Sequence, residues 1–293
     1  MKHVSKPNHH LVALSLLLAA LGSSASSTAR ADAAPSPFAG KTITVGMADG
    51  PPYSYRDKDG KILGYSPDVV RAALEPLGVK LDFVIADFGA LIPGLLVGRF
   101  DMIAAGVAIT PARCQQVSFS EPDLAVGDGL LVPKGNPHNL HGYTDFAKQP
   151  DVKLGGGRGT QNSKNALAAG VPPDQLVYFP TNQAMISALL AGRVDAATVS
   201  APVAATVASD ENVKGIERAL PFEALKLPDG RPAQMYTATV FRKDEGDLRD
   251  TLNGGLDKLK RDGALQAILT RYDFTTAEFP PAISAADVCD GKS

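Results

Sequence analysis

Apolar residues along this chain repeat with two periods, and the two alternate. TITVGMAD (42–49) has an apolar residue at every second position and runs into Gly50-Pro51-Pro52, which predicts a strand stopped by a turn. RDKDGK (56–61) reads as a further turn. SPDVVRAALEPLG (66–78) changes to helical spacing, with Ser66 expected as N-cap, Pro67 in the first turn and Gly78 past the end. VKLDFVIAD (79–87) is a second strand, GALIPGLLVGRFD a second helix with Gly98 as its C-cap, and MIAAGVAI an unbroken apolar run suited to a strand covered on both faces.

The alternation restarts after VPKGNP. VKLGGG, QLVYFP and VDAATVS read as strands, and TQNSKNALAAG and NQAMISALLAG as the helices between them. Two such runs predict two α/β units, each with a mainly parallel sheet flanked by helices. Residues 237–273 then read as a strand, a helix with one apolar face and a shorter helix. One phrase occurs in both units, LLVGRFD at 95–101 and LLAGRVD at 189–195. It is expected at a helix-to-strand joint, with Leu-Leu facing a core, Gly in a left-handed turn, Arg solvated and Asp preceding the buried strand.

The first residues follow another pattern. A short segment with Lys2 and Lys6 leads into an apolar run that breaks at Gly22-Ser23-Ser24, followed by small residues at Ala29 and Ala31. This predicts a secretory signal peptide over 1–31, cleaved after Ala31, and hence a periplasmic protein. The remaining ~260 residues suit two domains or one large one. The expected first lobe comprises 41–130 plus 232–293 and the second 131–231, with crossings near Gly129–Pro133 and Pro228–Gln234. Net charge is −2, without the basic excess that a nucleic-acid partner requires. The two cysteines, Cys114 and Cys289, are an even count in an exported chain, which favours a bridge. Two free thiols are the other reading.

Candidate chemistry lies where strands end. In AITPARC, Thr110 and Pro111 have the form of a helix start, and Arg113 adds a planar fork that suits a carboxylate; a structural ion pair is the alternative. GGGRGTQNS (155–163) offers a second helix start, with Thr160 as its cap, and its glycine spacing is not that of a phosphate-binding loop. Tyr53 and Phe88 follow the first two strands and could hold a flat or cationic group between rings. Arg158 is expected to be solvated.

GYSPDVVRAALEPLGV, LIPGLLVGRFDMIAAGVAITPARCQQVSFSEPDL, GGGRGTQNS and LLAGRVDAATVSAP together resemble the periplasmic solute-binding proteins of polar amino acid ABC transporters, over roughly Thr42 to Phe274. Within that family the chain is most similar to the ectoine and hydroxyectoine branch, in GALIPGLLVGRFD, in the Cys after PAR and in the late Cys. The resemblance implies the two-lobed type II binding-protein fold with two hinge crossings. It also implies a small zwitterionic carboxylate as ligand, a membrane permease as partner, a monomer, and no cofactor, metal or catalytic residue. By the same resemblance Arg113 holds the ligand carboxylate, Thr160 meets it from the second lobe, and Tyr53 and Phe88 stack on the ring. Asp49, Gly106, Ala108 and Ser200 complete the expected lining.

The chain departs from those relatives at three positions. Gly50 stands where the ectoine branch has an acid, with Asp49 one place earlier; Ala108 replaces a third aromatic; and Ser200 stands where many amino acid binders have Asp. These changes predict weaker ectoine binding, or a bulkier ligand. Two other readings are an enzyme on this fold, such as a cyclohexadienyl dehydratase, and a receptor that serves a sensor. An enzyme needs a placed acid or base. The nearby acids are Asp49, Asp87 and Glu121, and no histidine falls in these motifs.

Overall fold

Strand β1 (Thr42–Met47) opens the fold, and a hairpin of β2 (Tyr55–Arg56) and β3 (Ile62–Leu63) follows it. The computed structural model describes residues 36–226, 230, 232–280 and 282–292. The export signal expected over 1–31 lies outside them, as do Pro228, Asp229 and Arg231 of the second expected crossing.

Helix α1 (Tyr65–Leu74), strand β4 (Lys80–Ile85), helix α2 (Phe88–Leu96), strand β5 (Met102–Ala108) and the four-residue α3 (Pro111–Cys114) come next. The cap of α1 is Gly64, two residues before Ser66. Gly64 has φ 120°, and a Cβ there would run into the Tyr53 backbone, so only glycine fits the turn. Ser66 is buried in the first turn of the helix. Short strands β6 (Ser118–Phe119) and β7 (Leu124–Val126) end this stretch.

The chain then enters a second sheet. It contains β8 (Asp128–Pro133), β9 (Leu154–Gly157), α4 (Gln161–Ala168), β10 (Leu176–Phe179), α5 (Asn182–Leu190), β11 (Ala196–Ser200), α6 (Ala201–Ser209) and β12 (Ile216–Arg218). Strand β13 (Met235–Phe241) returns to the first sheet. Helices α7 (Gly246–Arg261), α8 (Ala264–Arg271) and α9 (Ala285–Cys289) follow it.

The first sheet has the order β4-β1-β5-β13-β6, with β7 also on β13. Strands β4, β1 and β5 are parallel, and β13 is antiparallel to its neighbours. The second has the order β10-β9-β11-β8-β12, parallel through β11 and antiparallel at β8 and β12. Two sheets of this kind, each covered by helices, make the two-lobed type II binding-protein architecture, and each lobe has its own apolar clusters.

The repeated phrase does the same work in both lobes. Gly98 and Gly192 have φ of 74° and 66° and end α2 and α5, with Arg99 N–H bonded to the Gly94 carbonyl and Arg193 N–H to that of Ala188. Leu95 and Leu189 are buried on the sheet, but Leu96 and Leu190 are about half exposed. Only the first leucine of each pair therefore faces the core; the second, expected there too, sits on the solvent side of the helix end. The carboxylate of Asp101 accepts from Thr44 N–H at 2.8 Å, and that of Asp195 from Lys153 N–H at 2.7 Å. Each Asp thus ties the strand it precedes to the backbone of the neighbouring strand or the residue before it, a role the sequence reading did not assign.

Candidate functional site

In both lobes the parallel strands point their carboxyl ends toward one cavity, which the starts of α2 and α4 and the first residues of the antiparallel β13 also line. All eight residues singled out from the sequence line it: Asp49, Tyr53, Phe88, Gly106, Ala108 and Arg113 from the first lobe, and Thr160 and Ser200 from the second. The cavity, of about 110 Å³, has room for a small solute rather than a peptide.

Arg113 sits at the junction of the lobes, 7% exposed. Thr110 caps α3 by accepting from Arg113 N–H, which fixes the backbone, and the side chain then turns inward. Its Nη1 donates to the Ala108 carbonyl at 2.7 Å, and its Nη2 to the Gly159 carbonyl of the second lobe at 2.9 Å. Its guanidinium carbon lies 5.9 Å from the centre of the Phe88 ring, within cation–π reach. No carboxylate pairs with it among the described residues. Burial lowers its pKa to about 10, so it stays charged at neutral pH. A buried guanidinium held by carbonyls alone is costly, and an anion in the cavity would offset that cost.

A second bond joins the lobes. Tyr53 O–H donates to Ser200 Oγ at 2.8 Å, and burial first of all holds the phenol well above its ordinary pKa. Ser200 is used as an acceptor, so its own O–H remains to donate into the cavity. Gly106, with φ 60°, lies under the Tyr53 ring where a Cβ would collide. Thr160 caps α4, accepting from Ser163 N–H and donating to the Gly157 carbonyl at 2.9 Å. At the rim the Gly159 backbone passes close to Gly89, a contact that a side chain at either position would obstruct.

Of the three acids expected near the site, Asp49 and Asp87 line the cavity, whereas Glu121 does not and accepts instead from Ala285 N–H at 3.0 Å. Asp49 has its pKa raised, by burial first, and Asp87 stands at the start of α2 without bonding its N–H groups. Arg158, expected to be solvated, is exposed, yet it borders the cavity beside Gly89. Among the described residues no cluster of His, Cys, Asp or Glu is placed to hold a metal ion.

The sequence reading missed Asn162, Asn182, Thr198 and Thr237, which line the same cavity. Thr198 was within reach, because it lies two residues before Ser200 on one strand and therefore on the same face. The disulfide is present. Cys114 and Cys289 are bonded, which ties α9 to the short helix that carries Arg113.

The model of the bacterial extracellular solute-binding proteins, family 3, matches residues 43–276. The probable amino-acid ABC transporter periplasmic-binding protein y4tE of Sinorhizobium fredii is 38% identical over 246 residues, 83% of this chain and 79% of that one. The crystal structure of EhuB in complex with hydroxyectoine is 32% identical with a TM-score of 0.76, over 85% of this chain and 94% of that one. The ancestral amino acid-binding protein AncCDT-1, a precursor of cyclohexadienyl dehydratase, is 28% identical with a TM-score of 0.69, over 79% and 95%. The cavity between two α/β lobes and the match along most of the sequence agree: the chain belongs to the family 3 bacterial extracellular solute-binding proteins.

Proposed function

We propose that this protein is the periplasmic capture component of an ABC importer, exported by its first 31 residues, and that it encloses a small zwitterionic carboxylate and delivers it to a membrane permease. The observation that carries the reading is Arg113, a buried guanidinium at the lobe junction that, among the described residues, is bonded only to carbonyl oxygens. A ligand carboxylate supplies the missing anion, and the O–H of Ser200 and the helix start at Thr160 add donors from the other lobe. Tyr53 and Phe88 provide ring faces for the rest of the ligand. Such a ligand touches both lobes only when they are together, so it stabilises the closed form that a permease would read.

Ser200 cannot counter an α-ammonium as a carboxylate would, which favours ligands whose cation is delocalised or substituted. The neighbour with bound hydroxyectoine, a compound of that kind, supports this choice. A transport role also agrees with the name of y4tE.

The test is a thermal-shift panel of hydroxyectoine, ectoine, glycine betaine, proline, arginine and glutamine on wild type and Arg113→Ala. At a hundredfold excess over Kd a ligand contributes about 2.7 kcal/mol, a rise of roughly 5 °C or more. At least one compound should stabilise wild type, and Arg113→Ala should fold and lose the shift. A full shift in the variant, or none in wild type with any member, contradicts the reading. Prephenate and arogenate should be left unchanged by the protein; conversion of either would make it an enzyme.

A further inference from the structure

A second buried charge lies beside the cavity, and nothing above uses it. Asp123, between β6 and β7, is 2% exposed. Its Oδ1 accepts from Thr237 Oγ1 at 2.9 Å and from the Tyr65 hydroxyl at 3.3 Å, and those two hydroxyls are 2.8 Å apart. No ammonium or guanidinium touches it among the described residues; Lys260 acts on it through space. Desolvation dominates, and its pKa rises to about 7.

The placement relative to the site is direct. Thr237 lines the cavity, so one side chain separates the carboxyl from a bound molecule. Tyr65, its other partner, packs edge-on against the Tyr53 ring at 5.6 Å, and Tyr53 forms the cavity wall. The other buried acid of the region, Asp128, differs in kind. Side-chain amides of Asn162 and Asn165 on α4 hold both its oxygens, so it is satisfied within its own lobe. Among the described residues the Asp123 carboxyl has only hydroxyl side chains as partners, which leaves its charge unbalanced. The site therefore has a buried cation without an anion, Arg113, and just behind its wall a buried acid without a contacting cation.

We propose that Asp123 is the counter-charge for the cationic group of the ligand, acting across Thr237 and the Tyr65–Tyr53 ring pair, and that it selects zwitterions over plain carboxylates. The inference rests on the carboxylate-binding reading of Arg113 and supplies the negative charge that Ser200 lacks. In a water-poor cavity a charge one side chain away still acts strongly. Asp123 is a positioning residue here, and no contact with the ligand is required of it.

A cation in the cavity favours ionised Asp123, so ligand affinity should rise with pH through about 7 and level off above it. The other titratable groups facing Asp123 are the Tyr65 and Tyr53 phenols, both held protonated by burial, and Lys260. Arg113 stays charged throughout, and neither His138 nor His141 lines the cavity; Asp49 in the cavity wall and Asp128 behind it are also raised by burial, and Asp123→Asn leaves both in place.

The experiment uses two matched pairs of probes: glycine betaine with 3,3-dimethylbutyrate, and proline with cyclopentanecarboxylate. Each pair keeps one shape and removes the positive charge. Asp123→Asn retains an acceptor oxygen for Thr237 and Tyr65. Calorimetric titration should show wild type favouring the zwitterion of a pair, with its affinity falling about tenfold from pH 8 to pH 6. Asp123→Asn should lose about tenfold for the zwitterion at pH 8, show no such loss for the partner carboxylate that lacks the cation, and show a flat pH profile. Equal discrimination in the variant, or a flat profile for wild type, overturns the proposal. Where Asp123→Asn fails to fold, Asp123→Ser takes its place under the same criteria. If wild type binds no zwitterion, the carboxylate-binding reading itself fails, a distinct result.

Discussion

Breaking the Cys114–Cys289 bridge should cost this protein several kcal/mol, almost all of it through the unfolded chain. The two cysteines are 175 residues apart, so the bridge closes most of the described chain into one loop. The chain-entropy relation for a loop of that length gives about 17 cal/mol/K, or about 5 kcal/mol at 25 °C. The folded side should change little. Ala285 and Val288 of α9 pack in a cluster with Leu91, Ile109 and Val117, and Ala285 N–H donates to Glu121 Oε2 at 3.0 Å. Ser284 caps the helix. The tail therefore keeps its seat without the bond, and the loss appears as greater freedom of the denatured state. Urea unfolding of wild type and Cys289→Ser, followed by circular dichroism, should show a loss of about 2–5 kcal/mol, the range usual for native bridges. A loss under about 1 kcal/mol would refute the reasoning.

Two further predictions concern the cavity. Gly106→Ala places a Cβ against the Tyr53 ring at a backbone φ of 60°, which adds roughly 1–2 kcal/mol of strain and pushes the ring from Ser200; its melting temperature and its ligand-induced shift should both drop, and a wild-type response to the panel would count against the packing described. Asp123 is neutral when its burial is tolerated, with a folded pKa of about 7 against an ordinary value of 3.8. Its stabilising effect is therefore complete below about pH 4 and is lost as pH rises through 7, while Asn shows no such change. The stability of wild type relative to Asp123→Asn should fall by up to about 4 kcal/mol between pH 4 and pH 8, read from urea midpoints, and a rise over that interval would show the sign to be wrong.

Local chemistry made much of this legible in the sequence. Leu95-Leu96-Val97-Gly98 and Leu189-Leu190-Ala191-Gly192 announce helix ends because a left-handed turn after an apolar face needs glycine. Thr110-Pro111 and Thr160 announce helix starts for the same kind of reason, and the structure puts Arg113 and Thr160 on one cavity. The start of α1 was misplaced because Ser66 has the chemistry of a cap, while the turn is made by Gly64 against a neighbouring segment that is not local in sequence. Asp123 and Thr237 are 114 residues apart, and Arg113 reaches Gly159 from 46 residues away. No periodicity encodes such pairs, since they depend on how β13 returns beside β5 and on how the lobes meet. Within SFSEPDL nothing local marks Asp123 as buried; its burial follows from the pairing of β7 with β13.

The most direct test is a crystal structure of the wild-type protein with whichever panel compound stabilises it most. The account predicts a single molecule between the lobes, its carboxylate in bidentate contact with Arg113 and its cationic part against Tyr53 and Phe88 on the side of Thr237. A ligand that touches one lobe only, or whose carboxylate lies away from Arg113, would contradict it.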